Sequence, residues 1–416
     1  MTAAQAHPRV HAAIARLATF NSVPDAGGIT REVYTPEYHA SLEYVAELMR
    51  SAGLGVRVDA AGNIIGRWEG TDSAAPAVLT GSHFDTTLNA GAYDGVLGVI
   101  GGIEAVHLLR EQGLRPRRSI EVWGIAGEEP RFAAGCIGSR AMVGQLTPEI
   151  LDRLVDRDGV TVAQAMRTVG LDPARIHEAT IDPAEVHAFV ELHIEQGGVL
   201  EASGETIGVV TWIAAPHELR MILRGEANHA GATPMNLRHD ALAGASELMV
   251  ALERLAIGSP SGTTVGTVGV IRARPGAINI VPGEVELEVD IRDSDGAARA
   301  AVVDGLLAAA EELCARRGLG LEVEAIAKDE PAACSDLVID ATLAACEDLG
   351  RPYRRMVSGA YHDAMVLGRE VPIGMIFVPS AGGISHHPDE YTAPHEIDAG
   401  VDVLTGVLAR LSEATA

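Results

Sequence analysis

A chain of 416 residues, 47% hydrophobic and 21% charged, is long enough for two buried cores and too ordinary in composition for a disordered or fibrous protein. Its 57 acidic against 32 basic side chains leave a formal charge of −25, which excludes nucleic-acid phosphates and anionic lipid headgroups as partners. No apolar run reaches membrane-spanning length, since Val96–Val106 is broken by Glu104, and the first residues lack a basic-then-apolar leader pattern. The expectation is a cytoplasmic protein. Cys136, Cys314, Cys334 and Cys346 are scattered without CxxC spacing, as buried thiols of a reducing compartment would be.

In chain order, the apolar spacing predicts a helix over Tyr38–Met49, a short buried strand over Val78–Thr80 ending at Gly81, and a helix over Val96–Leu109. Buried strands follow at Ile120–Ile125 and Val186–Leu192. This alternation predicts an α/β fold, a sheet with helices on its faces. Near residue 213 the pattern changes. Strands are predicted at Glu218–Leu223, Thr264–Ile271, Glu284–Ile291 and Leu319–Ala327, with helices at Asp240–Leu255 and Ala297–Arg316. That block reads as an inserted α+β domain. The α/β style returns with helix Leu337–Leu349, strand Ile373–Val378 and a last helix near Asp398–Leu411. The boundaries predicted are 1–213 and 329–416 for the first domain and 214–328 for the insertion.

Five segments place His or carboxylate beside Gly or at the end of an apolar run. They are Gly81-Ser82-His83-Phe84-Asp85-Thr86, Gly91-Ala92-Tyr93-Asp94-Gly95, Gly127-Glu128-Glu129-Pro130-Arg131-Phe132, Glu191-Leu192-His193-Ile194-Glu195-Gln196-Gly197 and Gly383-Ile384-Ser385-His386-His387-Pro388. In open α/β sheets the strand C-terminal ends are where such loops gather a site. Imidazole and carboxylate without thiolate suit zinc, manganese, cobalt or nickel. His83 and Asp85 lie two apart, so one can bind metal while the other fixes an imidazole. Glu128 and Glu129 repel each other unless a cation neutralises one and leaves the other to move protons. Taken singly, an HxD, a Glu-Glu pair or a histidine in an apolar run is more often a surface or core feature than a site. The five together after successive strands are far more specific.

Together the segments resemble the M20 metallopeptidase superfamily, and within it the hydantoinase/carbamoylase family of amidases. ELHIEQG (191–197) and NHAGATPM (228–235) carry the branch, and the likeness runs from about Gly27 to the C-terminus. It implies a two-domain protein: a mixed-sheet dinuclear metallohydrolase domain with helices on both faces, and an inserted α+β lid and dimerisation domain. It further implies two divalent metal ions, zinc first and manganese, cobalt or nickel as alternatives. His83 and His193 would bind one, Glu129 and His386 the other, and Asp94 would bridge them. Glu128 would be the general base and Asp85 would orient a ligand histidine. His229 would stabilise the oxyanion and touch substrate; Gln196, Asn279, Arg292, Gly359, Ala360 and Tyr361 would also bind it, Asn279 and Arg292 at its carboxylate. The implied partners are a small carboxylate-bearing amide or ureido substrate and a second copy of the chain.

The implied reaction is hydrolysis of a linear amide C–N bond, of an N-carbamoyl amino acid first. Allantoate, ureidoglycolate and N-acyl amino acids or dipeptides are alternatives, and a non-catalytic dimeric binding protein is the reading outside enzymes. No GxSxG elbow supports a serine nucleophile. Three places depart from the family pattern: the loop Glu128-Glu129-Pro130-Arg131-Phe132 is one residue shorter than EEGSRF, Tyr361 replaces glycine, and His387 replaces a small polar residue. All three bear on the substrate rather than on the metals.

Overall fold

The computed structural model describes residues 6–132 and 134–415. Residues 1–5, on which part of the leader expectation falls, lie outside the described residues.

The chain opens with α1 (Pro8–Leu17) and α2 (Pro36–Ser51), each with proline in its first turn, where a missing N–H costs nothing. Thr35 caps α2 by accepting the Tyr38 N–H. Strands β1 (Gly55–Val58), β2 (Ile64–Trp68) and β3 (Ala77–His83) follow, then α3 (Val96–Glu111) and β4 (Ile120–Ile125). Short helices α4 (Ile137–Met142), α5 (Pro148–Leu151) and α6 (Val162–Thr168) lead to β5 (Val186–Ile194), α7 (Val199–Ser203) and β6 (Ile207–Ile213). A second group comprises β7 (Ala215–Arg224), β8 (Asn228–His229), α8 (Ala241–Ile257), β9 (Val265–Arg274), β10 (Ile280–Val281), β11 (Glu284–Asp293), α9 (Gly296–Arg317) and β12 (Gly320–Lys328). The chain ends with β13 (Ala332–Ala333), α10 (Asp336–Asp348), β14 (Tyr353–Ser358), α11 (Asp363–Leu367), β15 (Ile373–Val378) and α12 (Pro394–Leu411).

Two compact units result. The first takes residues up to 211, 333–356 and 362 onward; the second takes 212–332 and 357–361.

The first unit is built on a mixed sheet in the order β1-β2-β4-β3-β5-β15-β6-β13. Its centre, β4-β3-β5-β15, is parallel. Every residue of β3, β4 and β15 is buried, so both faces of the sheet are covered, as parallel strands require. Helix α3 packs on β3 and β5, and α12 packs on α3, β5 and β15. The approach of α3 is close because Gly98 has no side chain: a Cβ there would overlap the Leu192 carbonyl and the Ser82 side chain.

The second unit is an antiparallel sheet, β12-β7-β11-β9, with α8 and α9 closing one core around Met221, Leu223, Leu248, Leu287, Ile291, Val303 and Leu306. Alternation of apolar and charged residues along β7 and β11 buries one face. Among the described residues no helix is long and apolar enough to cross a membrane. All four cysteines are buried and none forms a disulfide.

Candidate active site

Parallel pairing sets the first two histidines side by side. His83 ends β3 opposite Ile125 of β4, and His193, next to last in β5, stands opposite Phe377 of β15. Both rings are buried. The loop after β3 then returns to place Asp94 at the start of α3, with Gly95 at the cap. Gly95 has φ +65°, and a Cβ on it would overlap the His83 ring, so glycine is needed twice over at this position.

Asp94 faces two groups at once. Its Oδ1 lies 3.1 Å from His193 Nε2 and 3.6 Å from His83 Nε2. Its Oδ2 lies 3.0 Å from His386 Nε2, and that nitrogen is 3.4 Å from Glu129 Oε1. The structure thus brings His83, Asp94, Glu129, His193 and His386 together as two triads that share Asp94.

The protons on the histidines matter more than the distances. His193 Nδ1 faces the Ile194 carbonyl at 2.9 Å, and its Nε2 accepts the Gly95 N–H at 3.2 Å. His83 Nδ1 faces the Asp85 carbonyl at 3.2 Å. Each Nδ1 therefore carries a proton, which leaves both Nε2 atoms facing Asp94, that of His193 as an acceptor of the Gly95 N–H. Asp94 Oδ1 is buried and makes no hydrogen bond. Lone pairs converging from two nitrogens and a carboxylate oxygen fit a divalent cation.

The charges tell the same story. Burial pushes the Glu128 carboxyl well above the carboxylate range and Glu129 up to about 8, with neighbouring carboxylates adding to it. Burial likewise opposes ionisation of Asp94, but the imidazoles of His193, His386 and His83 outweigh it and hold Asp94 well below its ordinary value. Asp94 in turn raises half-exposed His386 to about 9. Positive charge placed among Asp94, Glu128 and Glu129 would favour the ionised form of each.

Glu128 Oε2 lies 3.9 Å from His83 Nε2, beside the first triad. Its loop is closed by backbone bonds from Cys136 N to Glu128 O at 2.9 Å and from Ile137 N to Gly127 O at 2.8 Å. In the shortened segment, Arg131 bonds the Val33 carbonyl and Asp156, and Phe132 is buried beside Tyr34. The Asp85 carboxylate accepts N–H bonds from Gly127 and Glu129, both at 3.1 Å, and its Oδ1 is 3.7 Å from His83 Nδ1. The Asp85 carbonyl is nearer to His83 Nδ1 than its carboxylate is, and the carboxylate holds the loop that carries Glu128 and Glu129.

Gln196 has φ +57°, and its Nε2 donates to Asp94 Oδ2 at 2.8 Å. His387 turns away, its Nδ1 accepting the Asp389 N–H at 3.2 Å.

The remaining expected residues belong to the second unit. Strands β8 and β10 pair His229 with Ile280, and Ala230 N donates to Asn279 O at 2.9 Å, so His229 and Asn279 are neighbours. His229 Nδ1 accepts the Gly231 and Ala232 N–H groups at 3.0 and 3.1 Å, which leaves its proton on Nε2 as a donor. Arg292 on β11 is held by Asp290, two residues back on the same face, at 2.8–3.1 Å. Gly359 and Tyr361 are at least partly exposed, and the Ser358 hydroxyl donates to the Ala360 carbonyl at 2.9 Å.

Sequence reasoning passed over four buried groups. Glu191 accepts from Ser82 Oγ at 2.6 Å and from Ala364 N at 3.1 Å. The His362 ring lies 4.6 Å from that of His193. Asp363 accepts from Ser139 Oγ at 2.6 Å and is pushed up to about 7 by burial. Glu390 binds the loop of Asp94. Charged residues inside or beside apolar runs were the available signal for the first three.

Residues 83–410 match the model for peptidase family M20/M25/M40. The N-carbamoyl-L-amino acid amidohydrolase of Geobacillus stearothermophilus is 43% identical over 93% of this chain and 94% of that protein. This chain belongs to the M20 family, in its hydantoinase/carbamoylase branch of amidases. A ureidoglycolate hydrolase of Oryza sativa subsp. japonica is 41% identical over 96% of this chain and 83% of its own length. A hydantoinase/carbamoylase family amidase from Burkholderia multivorans has the same fold, with TM-score 0.88, 34% identity, and coverage of 99% of this chain and 98% of that one. As an M20 amidase of this branch, the chain is a metal-dependent amidohydrolase with a mixed α/β fold.

Proposed function

We infer that the chain hydrolyses an N-carbamoyl amino acid to the amino acid, CO2 and ammonia, with two divalent cations, zinc in the first instance. The carrying observation is Asp94, whose two oxygens face separate imidazole-bearing triads. His83, Asp94 and His193 would hold one ion, and Asp94, Glu129 and His386 the other. When bound, the pair supplies Lewis acidity and lowers the pKa of water.

Glu128 is the general base of this reading. It takes a proton from the attacking water and returns it to the leaving nitrogen as the C–N bond breaks. The amino acid leaves with a free amine, and the carbamic acid left behind falls apart to CO2 and ammonia. Asp85 keeps Glu128 in reach by holding its loop. His229 Nε2–H donates to the developing oxyanion. Arg292 and Asn279 bind the substrate carboxylate, for which a guanidinium fork is well shaped. Gln196 and the Gly359–Tyr361 turn complete the substrate contacts. The working form is a cytoplasmic homodimer, with the second unit as lid and dimerisation domain.

The rice relative supports a second reading in which the substrate is ureidoglycolate. A panel of N-carbamoyl amino acids, N-carbamoyl-β-alanine, ureidoglycolate, allantoate and N-acyl amino acids, scored for ammonia and amine, separates these. N-carbamoyl amino acids should release both in equal amounts. Release of amine alone, from acyl substrates only, would replace this reading with an aminoacylase.

A further inference from the structure

Glu390 is buried, and its carboxylate is spent on holding two loops together. Oε1 accepts the backbone N–H of Tyr93 at 2.9 Å and of Asp94 at 3.1 Å. Oε2 accepts the Ser385 hydroxyl at 2.9 Å, and Ser385 Oγ is also 3.2 Å from Asp94 Oδ2. The partners come from opposite ends of the chain: the loop after β3 and the loop between β15 and α12. Residue 91 must be glycine for this fit, because a Cβ there would overlap the Glu390 side chain. The next residue after Ser385 is His386, which has φ +55°, a left-handed backbone uncommon for residues other than glycine.

We propose that Glu390 is a positioning residue that fixes Asp94 and His386 as one unit, and so sets the affinity of the Asp94–Glu129–His386 triad for its cation. This rests on the metal reading above. Asp94 is shared by both triads, but only the second also draws its histidine from the loop that Glu390 grips. Loss of the grip therefore falls mainly on the second ion. Partners that orient metal ligands commonly change affinity by about 10–100-fold when removed.

Two substitutions separate position from charge. Glu390→Asp keeps the charge but retracts the acceptor by one methylene, out of reach of two N–H groups. Glu390→Gln keeps the reach, since its carbonyl can accept both N–H bonds and its amide can donate to Ser385.

Chelator-stripped wild type, Glu390→Asp and Glu390→Gln are titrated with Zn2+ against a chromophoric competitor, with kcat and KM measured at low and saturating Zn2+. Wild type should take two ions. Glu390→Asp should bind one of the two ions at least about tenfold less tightly, with the other changed far less and kcat restored by excess Zn2+ at unaltered KM. Glu390→Gln should lose less than Glu390→Asp. Wild-type affinity for both ions in Glu390→Asp would overturn the proposal while leaving the metal reading intact. A larger loss in Glu390→Gln would make Glu390 a source of charge and overturn it as a clamp. Wild type that binds no Zn2+ would overturn both.

Discussion

His193 Nε2 lies 3.1 Å from Asp94 Oδ1 while accepting the Gly95 N–H at 3.2 Å. The nitrogen thus carries an accepting lone pair at the edge of the carboxylate. With Nδ1 donating to the Ile194 carbonyl, Nε2 is the ring nitrogen free to serve as a metal ligand beside Asp94.

Removal of the base should separate chemistry from metal binding. Glu128→Gln is expected to keep both ions by elemental analysis and to lose kcat by about 10²- to 10⁴-fold, since proton uptake and delivery are both removed. Near-normal turnover would take Glu128 out of its role.

The proposed carboxylate clamp is Arg292, which Asp290 holds in a fixed direction. Arg292→Ala should raise KM for carboxylate-bearing substrates by about 10- to 100-fold, the scale of one or two charge-assisted hydrogen bonds. Uncharged amides should be affected far less. Equal loss on both classes, measured by steady-state kinetics, would count against the clamp.

A pH effect on stability is expected far from the site. Burial alone would lower the pKa of His7, but its bond to Asp402, the Glu104 carboxylate 3.7 Å away and the nearby charge of Asp398 outweigh it and raise it to about 9. Arg9 and His11 share Glu104 and Asp398, and Arg351 shares Asp402. With the folded pKa above the unfolded 6.5, the stabilisation is complete below about pH 6.5 and is lost as pH rises through 9. It is worth up to ~3 kcal/mol. His7→Gln should flatten the fall of Tm between these limits, and an unchanged slope would remove His7 as its source.

How much of this was legible beforehand depended on the range of the forces involved. The strands Ile120–Ile125 and Ile373–Val378 are found at the predicted bounds, because apolar runs buried on both faces announce themselves. The strand predicted over Val78–Thr80 begins at Ala77 and runs on through Gly81 and Ser82 to His83, since parallel pairing with β4 carries polar residues that propensity alone would assign to a loop. The strands Gly55–Val58 and Ile207–Ile213 were passed over, the first short and largely exposed, the second parted from the next strand by Ala214 alone. At the site, residues with ligand chemistry beside glycine stood out. Glu390 did not, because its partners Tyr93 and Asp94 lie 297 and 296 residues away. A carboxylate that works through backbone N–H groups has no spacing to betray it.

The most direct test is the number of ions held by each triad. Stripped wild type titrated with Zn2+ by calorimetry should bind two ions per chain and regain turnover with them. His386→Ala should bind one, and Asp94→Ala should bind neither tightly. Full turnover in the stripped protein, or two tight ions in Asp94→Ala, would contradict the shared-carboxylate account.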